Sequence, residues 1–345
     1  MLAITGEWQR EYWMSDSARI SSTLPIPAPK ARCYRNGLSP PPPRALGEYV
    51  TERVRTPGGR TLAVEVSGDP NGSPIFLLHG TPGCRLGPRP RGMLLHHLGV
   101  RLFSFDRPGY GGSHRQLGRR VADAAADVEA IADAYGLDRF AVVGRSGGGP
   151  HALACAALLS NRITCAAVLV SLAPQEAEGL DWFHGMASSN VSEFTAAAAG
   201  HWHVTPRLTA AADEIRANPE RLLLRLRTEL PDSDRRIISD ARIRTILIRC
   251  YAEALRISAA GWIDDVVALC TPWGFDPAMV TVPVLLWHGY ADRFTPVSHA
   301  IWLAETIPNA TAILHPSAAH FGALDALPDI LHWLNTNSNA IRQTG

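Results

Sequence analysis

The chain has 345 residues, 46% of them apolar and 19% charged, with a formal net charge of +1. That is the profile of an ordinary globular protein with ample core, long enough for one large domain or two modest ones. Near-neutrality argues against a nucleic-acid or acidic-membrane surface, and no apolar run is long enough to span a bilayer. Lys30 is the single lysine, so arginine supplies nearly all the positive charge, a composition of the kind found in GC-rich bacterial genomes.

The six cysteines are Cys33, Cys84, Cys155, Cys165, Cys250 and Cys270. They form no C-x-x-C pair and lie in apolar segments, which predicts reduced, packed thiols in a cytoplasmic protein and no metal or redox centre. The start, "MLAITGEWQREYW", has neither a basic opening nor an apolar core and makes a poor secretory signal. Residues 1–46 hold "LPIPAPK" and "LSPPPPR" without periodicity, and read as a mostly disordered, proline-rich leader.

From Gly47 the pattern changes. "EYVTERVRT" and "RTLAVEVSG" alternate across "PGG" and predict two paired strands. Continuous apolar runs then alternate with helical stretches. "PIFLLHG" precedes the helix around "MLLHHLG", and "VRLFSFD" precedes "VADAAADVEAIADAYG". "RFAVVGR" precedes "GGPHALACAALLS", followed by "ITCAAVLVSLA". Such runs predict parallel strands buried on both faces with helical crossovers. The rhythm breaks over residues 174–280, too long a gap for an ordinary loop. Here "TPR" at Thr205 and "NPE" at Asn218 read as capping side chains before a proline at the first helical position, and "RRIISDARIRTILIRCYAEALRI" as a helical run. The segment therefore reads as an inserted helical subdomain between two parts of one core, 47–173 and 281–345. Strands resume with "VPVLLWHG" and "ATAILH", separated by a helix near "SHAIWLAETI" and followed by another near "LPDILHWLN".

"GRSGG", Gly144 to Gly148, fits G-x-S-x-G between a predicted strand and a predicted helix. Chance alone gives ~0.15 matches in a chain of this content, so the weight falls on the position. A turn from strand end to helix start strains the serine backbone and leaves no room beside it, which glycines accommodate. It aims the hydroxyl of Ser146 over the carboxyl edge of the sheet, at the positive end of a helix. No G-x-G-x-x-G or terminal Lys-Ser/Thr supports the alternative of a phosphate loop.

An activated serine needs a base and an orienting acid, which in this strand order follow it just after late strands. Asp292 stands past "VPVLLWHG" and His320 past "ATAILH". Glu176 and Asp181 are fallback acids, and His315 is the rival base, placed at the strand end before the chain loops back. In "LLHGTPGC", Leu77 to Cys84, the amide of Thr81 is a candidate oxyanion donor together with that of Gly147.

"HGTPG", "DRPGYGGS" (Asp106 to Ser113), "GRSGGGPHA", "LLWHGYADRFTPV" and the late His320, in that order, resemble the α/β-hydrolase family from Gly47 onward. The resemblance implies a mostly parallel eight-stranded sheet flanked by helices, a helical cap after the sixth strand, and no cofactor or metal. It implies a triad of Ser146, Asp292 and His320 and no catalytic role for Asp106. "PWGFD", Pro272 to Asp276, looks like bacterial hydrolases grouped with the proline iminopeptidases, although the glycine–tryptophan pattern around their serine is missing. A serine at position 146 excludes epoxide-hydrolase and haloalkane-dehalogenase chemistry, which uses aspartate there. Arg145 is unusual where an aromatic or small residue is common, and an acidic partner under the site is expected for it.

The expected activity is hydrolysis of a small or medium carboxylic ester or lactone through an acyl-enzyme. The same constellation serves C–C bond hydrolysis, amide or aminopeptide cleavage and cofactor-free haloperoxidase chemistry. A ligand-binding protein on a hydrolase scaffold is the alternative outside enzymes. The aromatic residues Trp182, Phe183, Phe194, Trp202 and Trp262 of the insertion either wall the substrate site or form the insertion's own core.

Overall fold

The computed structural model describes residues 51–344. The proline-rich stretch 1–46 and Cys33 lie outside the described residues.

Eight strands form one sheet: β1 (Thr51–Arg55), β2 (Thr61–Gly68), β3 (Ser73–Leu78), β4 (Val100–Phe105), β5 (Phe140–Arg145), β6 (Ile163–Leu169), β7 (Val284–Gly289) and β8 (Ala310–His315). Their spatial order is β1-β2-β4-β3-β5-β6-β7-β8. β1 pairs antiparallel with β2 and β2 with β4, and every later pair is parallel. The first hairpin closes over the "PGG" turn, where alternating apolar residues had pointed to paired strands.

Parallel strands need crossovers, and helices supply them. These are α1 (Gly92–His97), α2 (Ala124–Ala134) and α3 (Gly148–Leu158) before the insertion. After it come α10 (Val297–Thr306) and α11 (Gly322–Thr344), so both faces of the central strands are covered. Phe76 on β3 is fully buried and packs against Phe103 (ring centroids 5.1 Å) and Phe140 (4.9 Å). Ile75, Leu102, Val143 and Leu285 fill the other face together with Leu331 and Leu334 of α11.

Between β6 and β7 the described chain carries six helices: α4 (Ser188–Ala198), α5 (His201–Ala217), α6 (Glu220–Arg227), α7 (Asp232–Ser239), α8 (Ala241–Ala254) and α9 (Ala260–Leu269).

Local details differ from the sequence reading in three places. Thr205 is no N-cap: α5 begins one turn earlier, after Gly200 at φ 116°, and Pro206 lies inside the helix. The Thr205 hydroxyl instead donates to the His201 carbonyl at 2.7 Å. The single helical run beginning at Arg235 is two helices, because Asp240 takes an extended conformation and its side chain accepts the amides of Arg242 and Ile243, capping α8. The last helix starts at Gly322, ahead of Pro328, which sits within it. β8, read from the sequence only as a strand, forms the edge of the sheet and is mostly exposed, with Ile313 45% accessible. Asn218 behaves as expected, its side chain accepting the Glu220 amide at the start of α6.

The Phe76 cluster predicts a large cavity penalty. Phe76→Ala should lower unfolding stability by about 3–5 kcal/mol, read as a fall in the urea midpoint at unchanged slope. A loss below about 1 kcal/mol would show that the three-ring cluster is not part of the central core.

Candidate active site

β5 ends at Arg145 and α3 begins at Gly148, so only Ser146 and Gly147 turn the chain from strand to helix. Ser146 consequently takes φ 54°, one of two positive-φ residues other than glycine among those described. The Ser146 amide donates to the Leu169 carbonyl (2.8 Å) and its carbonyl accepts from Gly149 (2.8 Å), which fixes the turn at both ends. The flanking glycines are sterically required. A Cβ on Gly144 would stand 2.2 Å from the Gly148 carbonyl oxygen, and one on Gly148 the same distance from that of Leu78.

The loop after β7 holds Asp292, buried and fully engaged. Its Oδ1 accepts the amides of Phe294 (2.8 Å) and Thr295 (3.0 Å), and its Oδ2 the Thr295 hydroxyl (2.9 Å). His320, in the turn between β8 and α11, brings Nδ1 to 2.9 Å from Asp292 Oδ2. An ionised carboxylate can only accept, so Nδ1 carries the proton and Nε2 is left as the free acceptor. Burial opposes ionisation of Asp292, yet the charge and hydrogen bond of His320, the neighbouring His288 and the Thr295 amide together hold the carboxyl below the usual range. Phe294 and Phe321 stand edge-on to the His320 ring, at 5.4 and 5.8 Å.

Ser146 and His320 line the same cavity, of about 140 Å³, roofed by residues of α4, α5, α6, α8 and α9. No hydrogen bond joins the Ser146 hydroxyl to His320 in this structure. Such contacts commonly tighten only when substrate binds. Glu176 and Asp181 are exposed, as is His315 at the end of β8, and none of the three lines the cavity. Of Trp182, Phe183, Phe194, Trp202 and Trp262 only Trp262 lines it, together with Tyr251 of α8. Trp182 packs against Phe183, Phe194 and His299, and Trp202 is exposed.

The two candidate oxyanion donors adjoin. The Thr81 nitrogen lies 3.4 Å from where a Cβ on Gly147 would stand, and neither amide donates to another described group. A pair of unspent N–H groups beside a strained serine suits a developing oxyanion.

Behind them is a buried network that sequence reasoning missed. Asp265 of α9 accepts the Thr81 hydroxyl (2.7 Å), Arg107 (2.5 Å), the Tyr110 hydroxyl (2.8 Å) and, on its other oxygen, Arg119 (2.6 Å). Arg107 also donates to the carbonyls of His79 and Gly80, and His151 Nδ1 sits 2.7 Å from the Gly147 carbonyl. Burial alone would push the Asp265 carboxyl up, but the two guanidinium groups hold it well below its ordinary range. Burial first, then Arg107, push His151 down to about 3, so it is neutral. The motif "DRPGYGGS" thus contributes Arg107 and Tyr110 to this network. Asp106 binds Arg85 and the Gly112 amide, away from the serine. The only hint of the network in the sequence was "DD" in an otherwise apolar helix.

Asp234 of α7 was missed as well. It is buried, and its Oδ1 accepts the Phe321 amide at 2.9 Å, which ties the insertion to the histidine turn. Its other oxygen has no hydrogen-bond partner among the described residues. Burial pushes it up to about 6, against the opposing influence of His320.

Among the described residues Arg145 has no acidic partner within ion-pair distance, contrary to expectation. Its guanidinium lies 5.9 Å from the Phe321 ring centroid and lines the cavity. Among the described residues no helix is long and apolar enough to cross a membrane, and no cluster of His, Cys, Asp or Glu has metal-site geometry. The five described cysteines are free and buried.

A family model described as the alpha/beta hydrolase fold matches residues 73–327. The 2-hydroxymuconate semialdehyde hydrolase of Pseudomonas putida is 27% identical over 265 residues, 74% of this chain and 83% of that protein. The proline iminopeptidase of Xanthomonas citri is 37% identical over a shorter stretch, 32% of this chain and 36% of its own length. Among solved structures, a thermophilic esterase from Thermogutta terrifontis with malate bound superposes with a TM-score of 0.59 at 20% identity, covering 86% of this chain and 97% of that one.

The folded state holds the Asp234 proton more tightly than an unfolded chain, whose carboxyl titrates near ~3.9. Its contribution is therefore full at low pH and is lost as pH rises from there through about 6. Denaturant unfolding of Asp234→Asn and wild type from pH 4 to 7 should show the difference moving in the variant's favour by about 2 kcal/mol as pH rises. A pH-independent difference would contradict a raised Asp234.

Proposed function

The chain belongs to the α/β-hydrolase fold family, and within it we propose a serine hydrolase that cleaves a small or medium carboxylic ester or lactone. The observation that carries this reading is the 2.9 Å contact of Asp292 with His320, which lines the same cavity as Ser146, with Ser146 at φ 54°. In the reaction His320 Nε2 takes the hydroxyl proton as Ser146 Oγ attacks the acyl carbon. The amides of Thr81 and Gly147 stabilise the oxyanion, and the ester C–O bond breaks as His320 returns the proton to the leaving alkoxide. Water, deprotonated by the same nitrogen, then releases the acid and regenerates the serine. Asp292 keeps the Nδ1–H tautomer and stabilises the imidazolium. No step calls for a cofactor. The helices of the insertion act as a cap over the substrate, and the protein is proposed to work in the cytoplasm on small molecules rather than on nucleic acid.

The C–C hydrolase reading has the support of the Pseudomonas putida relative, which spans most of both chains. The aminopeptidase reading has less: that similarity covers about a third of each protein, and three arginines, Arg145, Arg207 and Arg225, line the cavity where an ammonium would have to sit.

Steady-state hydrolysis of p-nitrophenyl acetate, butyrate and octanoate tests the proposal, with product analysis on an aryl diketone acid for the C–C reading. Ester turnover should fall by about 10⁴-fold or more in Ser146→Ala and by about 10⁴-fold in Asp292→Asn. Ester rates that survive Ser146→Ala, or diketone cleavage without ester cleavage, would overturn the ester reading.

A further inference from the structure

The lining of the Ser146 cavity is lopsided in charge. Arg145, Arg207 and Arg225 face it with a single carboxyl, Glu193, which burial pushes up to about 7. Glu193 accepts the Trp262 indole N–H at 2.9 Å. Arg207 donates to the Ser192 hydroxyl, and Arg225 lies 3.6 Å from Glu214. Arg145 differs from both. It makes no ion pair or hydrogen bond among the described residues, and its Nη1 is buried with no partner.

A buried, unpartnered guanidinium nitrogen is costly and uncommon in folded proteins. The neighbours of Arg145 on β5 are apolar, and the turn at Ser146 is held by backbone bonds and glycines without it. The residue precedes the serine directly, and its guanidinium reaches the face of Phe321, the neighbour of His320. It lines the same cavity as Ser146 and His320, with donor capacity left over.

We propose that the substrate carries a carboxylate, and that Arg145 binds it within the Ser146 cavity through its free donors. The substrate class is an acidic ester or lactone, such as a half-ester of a dicarboxylic acid. This deepens the hydrolytic reading above and rests on it. A planar guanidinium presents a fork that matches a carboxylate. Arg207 and Arg225 make the approach favourable to an anion and unfavourable to an amine. Glu193, its carboxyl pushed up to about 7, carries a full opposing charge only above neutral pH.

Two matched ester pairs test this. On the acyl side they are p-nitrophenyl hydrogen glutarate and its methyl ester, and on the alcohol side 4-carboxyphenyl butyrate and its methyl ester. In at least one pair the anionic member should have the higher kcat/KM by about tenfold or more, and Arg145→Gln should reduce that ratio by about tenfold or more. A non-catalytic readout keeps the two readings apart. Calorimetry on Ser146→Ala should find monomethyl glutarate bound about tenfold or more tighter than dimethyl glutarate, a preference lost in Ser146→Ala/Arg145→Gln. Inert esters combined with that calorimetric preference would count against hydrolysis while supporting the anion site. No preference in either assay overturns the anion site, and a preference that survives Arg145→Gln overturns its assignment to Arg145. Should the glutamine variant fail to fold, Arg145→Lys decides. Loss of the fork should cut the ratio by about threefold or more, and an unchanged ratio overturns the assignment.

Discussion

The contact between the first turn of α3 and the carboxyl end of β3 sets the spacing of the site. Gly148 lies so close to the Leu78 carbonyl that a methyl group would collide with it, and Gly144 is pressed as tightly by the Gly148 carbonyl. Strand and helix can meet this closely only if the connecting residue adopts left-handed angles, and that residue is Ser146. The cost of holding a serine there is on the order of 1–3 kcal/mol, and the surrounding sheet must supply it. The result puts one hydroxyl above the sheet edge, beside the Gly147 and Thr81 amides, with His320 in the same cavity.

The rest of the site is tied to that turn by buried polar networks of opposite kinds. Asp292 is held by groups close to it in the chain, the amides of residues 294 and 295 and a hydroxyl, so the carboxylate is in place before it meets His320. Asp265 is held by residues from distant loops, Thr81, Arg107, Tyr110 and Arg119. It belongs to an inserted helix, yet its partners are the loops after β3 and β4. Removing one partner from such a cluster leaves a buried charge unmatched, which typically costs about 3–5 kcal/mol, a large fraction of the roughly 5–15 kcal/mol that holds a domain folded. The insertion and the loop after β3 are thus coupled through one carboxylate, and insertion and histidine turn through another, Asp234.

Much of this was legible in the sequence because it rests on local pattern. Continuous apolar runs gave the strands, and the glycines around Ser146 marked the turn. Asp292 and His320 stood where late strands end. The amide of Thr81 was accessible to reasoning because "HGTPG" follows the first parallel strand. What escaped was long-range or one residue wide. Asp240 splits a helical run with a single extended residue, and amphipathic spacing is blind to that. Thr205 and Pro206 carried a cap signature that the earlier start of α5 overrode. Asp265 and Asp234 take meaning only from partners more than eighty residues away. For Arg145 an acidic partner was expected, and the fold provides an aromatic face instead.

The central claim is that Ser146 is an activated nucleophile served by His320. Intact-mass measurement after brief exposure to a small fluorophosphonate, followed by peptide mapping, addresses it without assuming any substrate. The account predicts fast addition of a single phosphonyl group at Ser146 and none in Ser146→Ala. A folded protein that stays unlabelled, or carries the label elsewhere, would contradict it.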